Sequence, residues 1–427
     1  MKKKAIIFIL ILTVSLFTLM AREPQDEESL VLNNVHLIDG KTHKRLKNHC
    51  IVVKGDTITD IHPLGEKDIT GAAFLLNLEG HYVIPGLIDA HVHISHMSAE
   101  ELRMVLSWAL KGGITAVRDM GGDVRKLATI RRNALLHEIE SPYIYYSAIM
   151  GGPTFFTDFR VVGSTLGETP GKLPWARAIT PTTDMRQVIA EAKGSGAAGI
   201  KIYANLPKEE IQRIAAEGHK QGLKIWSHAT VFPARPIDAV LAGVDVVSHC
   251  GLLAWESAAE LPQSYERRHE AQYDIALLKD KSYEKLFKEM VKRNTILEAT
   301  VYIFLERIAK GDKKMEEFCI EVTKMAHQHG VKIAAGTDYI YKPGAPFPNV
   351  HYEMELLVDK CGLSPIQALQ SATRINAEAL GIEDRTGTIE KGKRADLVIL
   401  SADPSADIRN VRKIRYVIKG GKLYVRQ

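Results

Sequence analysis

The sequence predicts a (β/α)8 barrel carrying a small β-sandwich domain built from both chain ends. Three observations point there. The middle of the chain alternates short apolar runs with amphipathic stretches. Both ends are β-like and punctuated by turn residues. Histidines, a lysine and an aspartate stand at the ends of the central apolar runs, where such a barrel keeps its chemistry.

A chain of 427 residues is long enough for one large barrel and an accessory domain. Its 45% hydrophobic and 25% charged residues are the composition of a globular protein. The net charge of +5 owes three units to Lys2, Lys3 and Lys4, so the remainder is nearly neutral. No basic stripe is visible, which excludes nucleic acid as the expected partner. Four cysteines, Cys50, Cys250, Cys319 and Cys361, lack metal-type spacing and read as small buried hydrophobes.

The opening "MKKKAIIFILILTVSLFTLMA" is a basic start followed by an apolar run, read as a signal peptide over residues 1–21. Export to the periplasm or beyond is therefore expected. Any membrane contact would run through this segment alone, were it to stay uncleaved as an anchor.

From residue 30 to 83, "LVLNNVHLID", "CIVVKGDTITDI" and "FLLNLEGHYVIP" read as strands separated by Asp39-Gly40, Gly55-Asp56 and Gly65. Residues 388–427 read alike, with "IRYVIKGGKLYV" a hairpin turning at Gly420-Gly421. These two parts are expected to build the small domain together. Residues 84–387 then form the barrel.

Its eight strand candidates are "GLIDAHVHI", "GITAVRDM", "YIYYSAIM", "GIKIYA", "LKIWSHA", "VDVVSHC", "TILEATV" and "VKIAAGTD". Helical patterns lie between most of them. Met185, Val188, Ile189 and Ala192 make one amphipathic stripe, ended by Gly194. Two connections are long: the Gly/Pro-rich 151–181, and the polar stretch from Cys250 to about Lys281. Loops of that length usually cover or shape a site.

On a strand, His91 and His93 fall on one face, one pleat apart, and two neutral imidazoles there can grip one metal ion. Lys201 interrupts the fourth strand, His228 ends the fifth, His249 the sixth and Asp338 the eighth. Each alone has a plain reading, since a histidine can pair with a carbonyl and an aspartate can cap a helix. Six such residues at the ends of five strands point to metal. If Ile200 and Ile202 face the helices, Lys201 and Tyr203 point inward. A buried ammonium needs a carboxylate partner or loses its proton. A carbamate formed with CO2 would instead make Lys201 a bidentate ligand.

The motifs "VIPGLIDAHVHI", "GIKIYA", "IWSHA", "VVSHC" and "GTD" resemble the metal-ligand motifs of the amidohydrolase superfamily. "SATRINAEALGIEDRTGTIEKGKRADLVILSADP" resembles that family's closing helix and return to its small β domain. The resemblance implies a two-metal centre: His91, His93 and Asp338 on one ion, His228 and His249 on the other, and carbamylated Lys201 bridging. Deaminases and imidazolone-ring hydrolases of the superfamily carry a glutamate three residues after the strand-five histidine. That place is Val231 here. "GITAVRDMGG" and "HYEMELLVDKCGLSPIQALQSAT" look most like the branch of Xaa-Pro and related Xaa-amino-acid dipeptidases.

The expected activity is thus hydrolysis of a C–N amide bond in a dipeptide or N-acyl amino acid. Two divalent ions, zinc by preference, would activate a shared water. Asp338 would serve as general base and then acid, and Tyr203 would contact substrate or simply pack. Asp89 and Asp119 are expected to orient ligands. Arg118 and Arg160 read as structural or solvated, with a substrate carboxylate as the alternative partner. A cyclic-amide or lactone hydrolase is the rival within enzymes, and a non-catalytic metal- or ligand-binding protein the rival outside them. A homo-oligomer is compatible with all three.

Overall fold

The computed structural model describes residues 29–67, 69 and 72–426. The segment expected to direct export, 1–21, lies outside them. Among the described residues no helix is long and apolar enough to cross a membrane.

Eight parallel strands form the barrel: Leu87–Val92, Ile114–Asp119, Tyr143–Gly151, Gly199–Ile202, Lys224–His228, Val246–Ser248, Ile296–Glu298 and Ile333–Ala334. Each pairs with the next in chain order. Closure of the eighth on the first comes from single hydrogen bonds rather than a full ladder. Ala90 N–H donates to Ala335 O at 3.2 Å, and Asp338 N–H to His91 O at 2.8 Å. The eight strand candidates read from the sequence are these eight.

The helices outside the barrel follow from capped amphipathic patterns. Met185–Gly194 starts at Asp184, whose side chain accepts from Gln187 N–H, and it buries Met185, Val188, Ile189 and Ala192. Lys281–Arg293 starts at Asp280, buries Tyr283, Leu286, Phe287 and Met290, and stops at Asn294 in the left-handed conformation. Near the chain's end, helix Arg374–Leu380 packs under the barrel. Asn376 Nδ2 donates to Ile88 O at 2.6 Å and Ala335 O at 2.7 Å, tying the first strand to the eighth.

The small domain is one hydrogen-bonded network of eight strands drawn from both chain ends. Leu397–Leu400 pairs antiparallel with Tyr82–Pro85, so the last part of the chain zips onto the segment that precedes the barrel. Strand Tyr82–Pro85 runs two residues past the boundary expected at 83, and Gly86 alone separates it from the first barrel strand. The hairpin at Gly420-Gly421 has both residues at positive φ, 54° and 75°, the backbone that a two-residue turn of this hand requires. A side chain on Gly421 would also run into Gly55 O at 1.8 Å.

The long connection after the third strand is more regular than its Gly/Pro content suggests. It holds a 3-10 turn Pro153–Thr157, a short helix Phe159–Ser164 and a hairpin strand Ala176–Ala178 that extends the third strand's edge. The connection after the sixth strand is built of 3-10 turns, including Cys250–Trp255 and Tyr265–Glu270. All four cysteines are buried and free, as expected.

Candidate metal centre

The C-terminal ends of the strands deliver the six singled-out residues to one place. Ile200 and Ile202 pack outward into the apolar core while Lys201 lies fully buried within the barrel, its Nζ 3.0 Å from Ser248 Oγ. Asp338 Oδ1 lies 3.3 Å from His91 Nε2 and 3.2 Å from His93 Nε2. One donor atom each of His91, His249 and Asp338 lies within 4.8 Å of the other two. The rings of His91 and His249 are 4.8 Å apart, and those of His228 and His249 5.0 Å. His249 therefore stands between His91 and His228, joining the two halves of the cluster.

Hydrogen bonds decide which nitrogen each imidazole presents. His93 Nδ1–H donates to Gly121 O at 3.0 Å, and His249 Nδ1 pairs with Thr300 Oγ1 at 3.0 Å. His91 Nδ1 is engaged by the Glu298 carboxylate. These three present Nε2 to the cluster. His228 is the exception, because its buried Nδ1 is the atom left without a partner. His91 Nε2 is likewise buried and unpaired. Two orphaned imidazole nitrogens buried in one cluster, one of them 3.3 Å from Asp338 Oδ1, are a costly arrangement unless something accepts their lone pairs.

The electrostatics suit a cation. Burial lowers His228 well below the ordinary histidine range and brings His249 to about 3, so both rings are neutral and free to offer a lone pair. Burial would raise Asp338, but the imidazoles of His91 and His93 beside it hold it well below the usual carboxylate range. Burial also draws the Lys201 amine down to about 7. Nitrogen and carboxylate donors in this set fit a divalent ion of zinc's type.

Backbone strain concentrates here too. His249, Thr300 and Asp338 take φ of 79°, 50° and 58°. Left-handed conformations of non-glycine residues cost about 1–3 kcal/mol each and persist where the surroundings enforce them.

Tyr203 stands where the strand period places it. Its ring meets His228 edge-on at 4.3 Å and stacks on Phe155 at 4.7 Å. Tyr265, from the other long connection, stacks on His228 at 5.0 Å. Asn205 Oδ1 accepts from Tyr265 N–H, and Arg268 lies 4.3 Å over the ring. The two long connections thus roof the His228 side of the cluster with aromatic rings.

The expected roles of the aspartates need adjusting. Asp89 accepts from His91 N–H and from Thr337 N–H and Oγ1. Asp119 accepts from Ile94 N–H at 2.8 Å and Gly121 N–H at 3.0 Å. Both brace the backbone beside His91, His93 and Asp338 rather than the rings. Arg160 is clamped by Asp158 at the surface. Arg118 is fully buried and pairs with Glu298, so it is structural.

Glu298 is the residue the sequence reading missed. It ends the seventh strand, in "TILEATV", where the other strand ends carry the singled-out residues. A lone carboxylate in an apolar run was the available signal. Burial would raise it, but the charges of Arg118 and His91 hold it at about 2. Thr300, Ser248 and Tyr265 carried no comparable signal, being common residues in polar or turn segments.

Known proteins are similar to this chain in sequence and in fold. The imidazolonepropionase of Mesorhizobium japonicum is 27% identical over 355 residues, covering 78% of this chain and 81% of its own length. A solved Xaa-Pro dipeptidase with bound methionine superposes with a TM-score of 0.72 at 22% identity, over 93% of this chain and 100% of that one. The ochratoxinase of A. niger superposes with a TM-score of 0.73 at 19% identity, over 94% and 96%. The two structures share the fold. The signature of the amidohydrolase family spans residues 82–424, and the chain, an enzyme, belongs to that family.

Proposed function

We propose that this amidohydrolase cleaves the amide C–N bond of a dipeptide of the Xaa-Pro kind or of an N-acyl amino acid, outside the cytoplasm, with two divalent ions. The observation that carries this reading is the cluster itself. Four histidines, Lys201 and Asp338 from five strand ends meet with two imidazole nitrogens orphaned. His91, His93 and Asp338 would hold one ion, His228 and His249 the other, with Lys201 between them as a carbamate. A neutral lysine amine adds CO2 by forming an N–C bond and releasing one proton, and burial supplies that neutral form near pH 7. Ions so held supply an acidified water and a Lewis acid for the carbonyl.

The chain's own groups do the rest. Asp338, ionised beside its imidazoles, accepts the proton of the attacking water and passes it to the departing amine nitrogen. Tyr203 is kept protonated by burial, so its hydroxyl donates to a substrate oxygen. Phe155 and Tyr265 close the aromatic side and exclude water.

One observation favours a second reading. The curated relatives include proteins named imidazolonepropionase, and an imidazolone ring contains a cyclic amide. Against it, Val231 is fully buried where the ring hydrolases of the superfamily place a glutamate. Metal-loaded protein assayed against dipeptides, N-acyl amino acids and cyclic amides, with and without chelator, separates the readings. Chelator-sensitive release of an amino acid is expected. Turnover confined to cyclic amides would transfer the assignment to the second reading, and no chelator-sensitive turnover at all would favour a binding protein.

A further inference from the structure

We propose that Glu298, anchored by Arg118, is a positioning residue that sets the tautomer and ring orientation of His91. This rests on the reading of the cluster as a metal centre. One Glu298 oxygen engages His91 Nδ1 and the other engages Arg118 Nη2. All three side chains are buried from solvent. A carboxylate held ionised by a guanidinium is an acceptor only, so Nδ1 must carry the proton. The lone pair is then left on Nε2, the orphaned atom 3.3 Å from Asp338 Oδ1.

The anchor is itself over-determined. Arg118 Nε donates to Ala90 O at 2.6 Å, and Nη1 to Ala379 O at 3.1 Å. Its guanidinium lies 4.4 Å over the Trp226 ring, whose Nε1 also donates to Ala379 O, at 2.8 Å. The bracket therefore joins the first, second, fifth and seventh strands to the closing helix. Gly336 on the eighth strand's extension makes room for it. A Cβ there would lie 2.8 Å from His91 Cβ and 3.0 Å from Glu298 Cγ. No larger residue fits beside the pair as it stands.

A carboxylate can satisfy both neighbours because both of its oxygens accept. An amide has one acceptor and one donor end. In Glu298→Gln the oxygen must choose between Arg118 and His91. If Arg118 keeps it, the amide NH2 faces Nδ1 and drives the proton to Nε2, the nitrogen needed for metal.

The test uses full-length, metal-stripped protein with 15N-labelled histidine, in which the His91 signal is identified by its loss in His91→Asn. The expected result is a protonated Nδ1 on His91. A bare Nδ1 in the unmutated chain would overturn the proposal, and this measurement stands even if the variant does not fold. In Glu298→Gln, zinc affinity by chelator competition should fall about 10–100-fold, as for loss of a partner that orients a ligand. A purely structural glutamate would lower the melting temperature and leave zinc affinity and the Nδ1 signal as they were, and that outcome also overturns it. Failure of the unmutated chain to bind zinc would count against the metal centre and leave the Nδ1 result to decide the tautomer.

Discussion

Asp338 shows how one residue is given several jobs by its neighbours. Its backbone N–H joins the eighth strand to the first, its carboxylate pairs with two imidazoles, and its φ of 58° aims the side chain into the cluster. Asp338→Asn should retain bound metal, because the amide oxygen and five other donors remain, and lose about 10²–10⁴-fold in kcat. Elemental analysis beside steady-state kinetics checks both halves; a near-normal rate would remove Asp338 from the proton path. Lys201 gives a prediction with a definite sign. Its folded-state value of about 7 lies below the ordinary 10.5. Between these values the unfolded chain binds the proton and the folded chain does not, so folding stability rises with pH across that window. Metal-free protein in CO2-free buffer should therefore gain stability in urea from pH 7 towards 10. Lys201→Met should flatten the rise, and identical slopes for the two chains would show that the buried amine is not its source. The strand-end residues were legible because each broke an apolar run. Glu298 broke one too, yet its meaning lay in a partner on another strand, Arg118, which no spacing connects to it.

At the scale of elements, helices and strands do different work. The outer helices are held by apolar stripes and caps that sequence alone reveals, since period and cap are local properties. Leu286, fully buried on Lys281–Arg293, illustrates the energetic side. Leu286→Ala should cost about 2–5 kcal/mol through lost burial and a residual cavity. Because that helix lies outside the barrel, KM should stay near the unmutated value; a selective rise in KM with stability unchanged would contradict the division of labour. The two long connections behave otherwise. Their composition announced loops, but the placing of Phe155 on Tyr203 and of Tyr265 on His228 depends on stacking and on Asn205. Those contacts join segments far apart in the chain, so no local pattern encodes them.

For the whole molecule, the small domain makes the barrel depend on the chain's last residues. Val417 and Ile418 are buried, and Lys419 Nζ donates to Ala134 O beneath a barrel helix. Leu397–Leu400 sits between Tyr82–Pro85 and Ile414–Lys419 in the sheet. Deleting residues 414–427 would expose the edge of Leu397–Leu400 and strip that cover. The truncated chain should lose cooperative unfolding and aggregate. A single sharp denaturation transition at the full-length midpoint would show that the barrel folds without the sheet's last two strands.

The barrel class, the eight strands, the helix over Met185–Gly194 and six residues of the cluster were legible in the sequence itself. Period, capping and interrupted apolar runs are short-range signals, and they are written within a few residues. Only in the folded barrel is it settled which nitrogen His91, His93 and His249 present, since that depends on Glu298, Gly121 and Thr300 lying against the rings. The tertiary structure also decided that Arg118 is an interior anchor and that Asp89 and Asp119 brace backbone. Hydrogen-bond partners drawn from different strands meet only when the barrel closes. Local sequence can place a side chain at a strand end, and closure alone determines what that side chain meets.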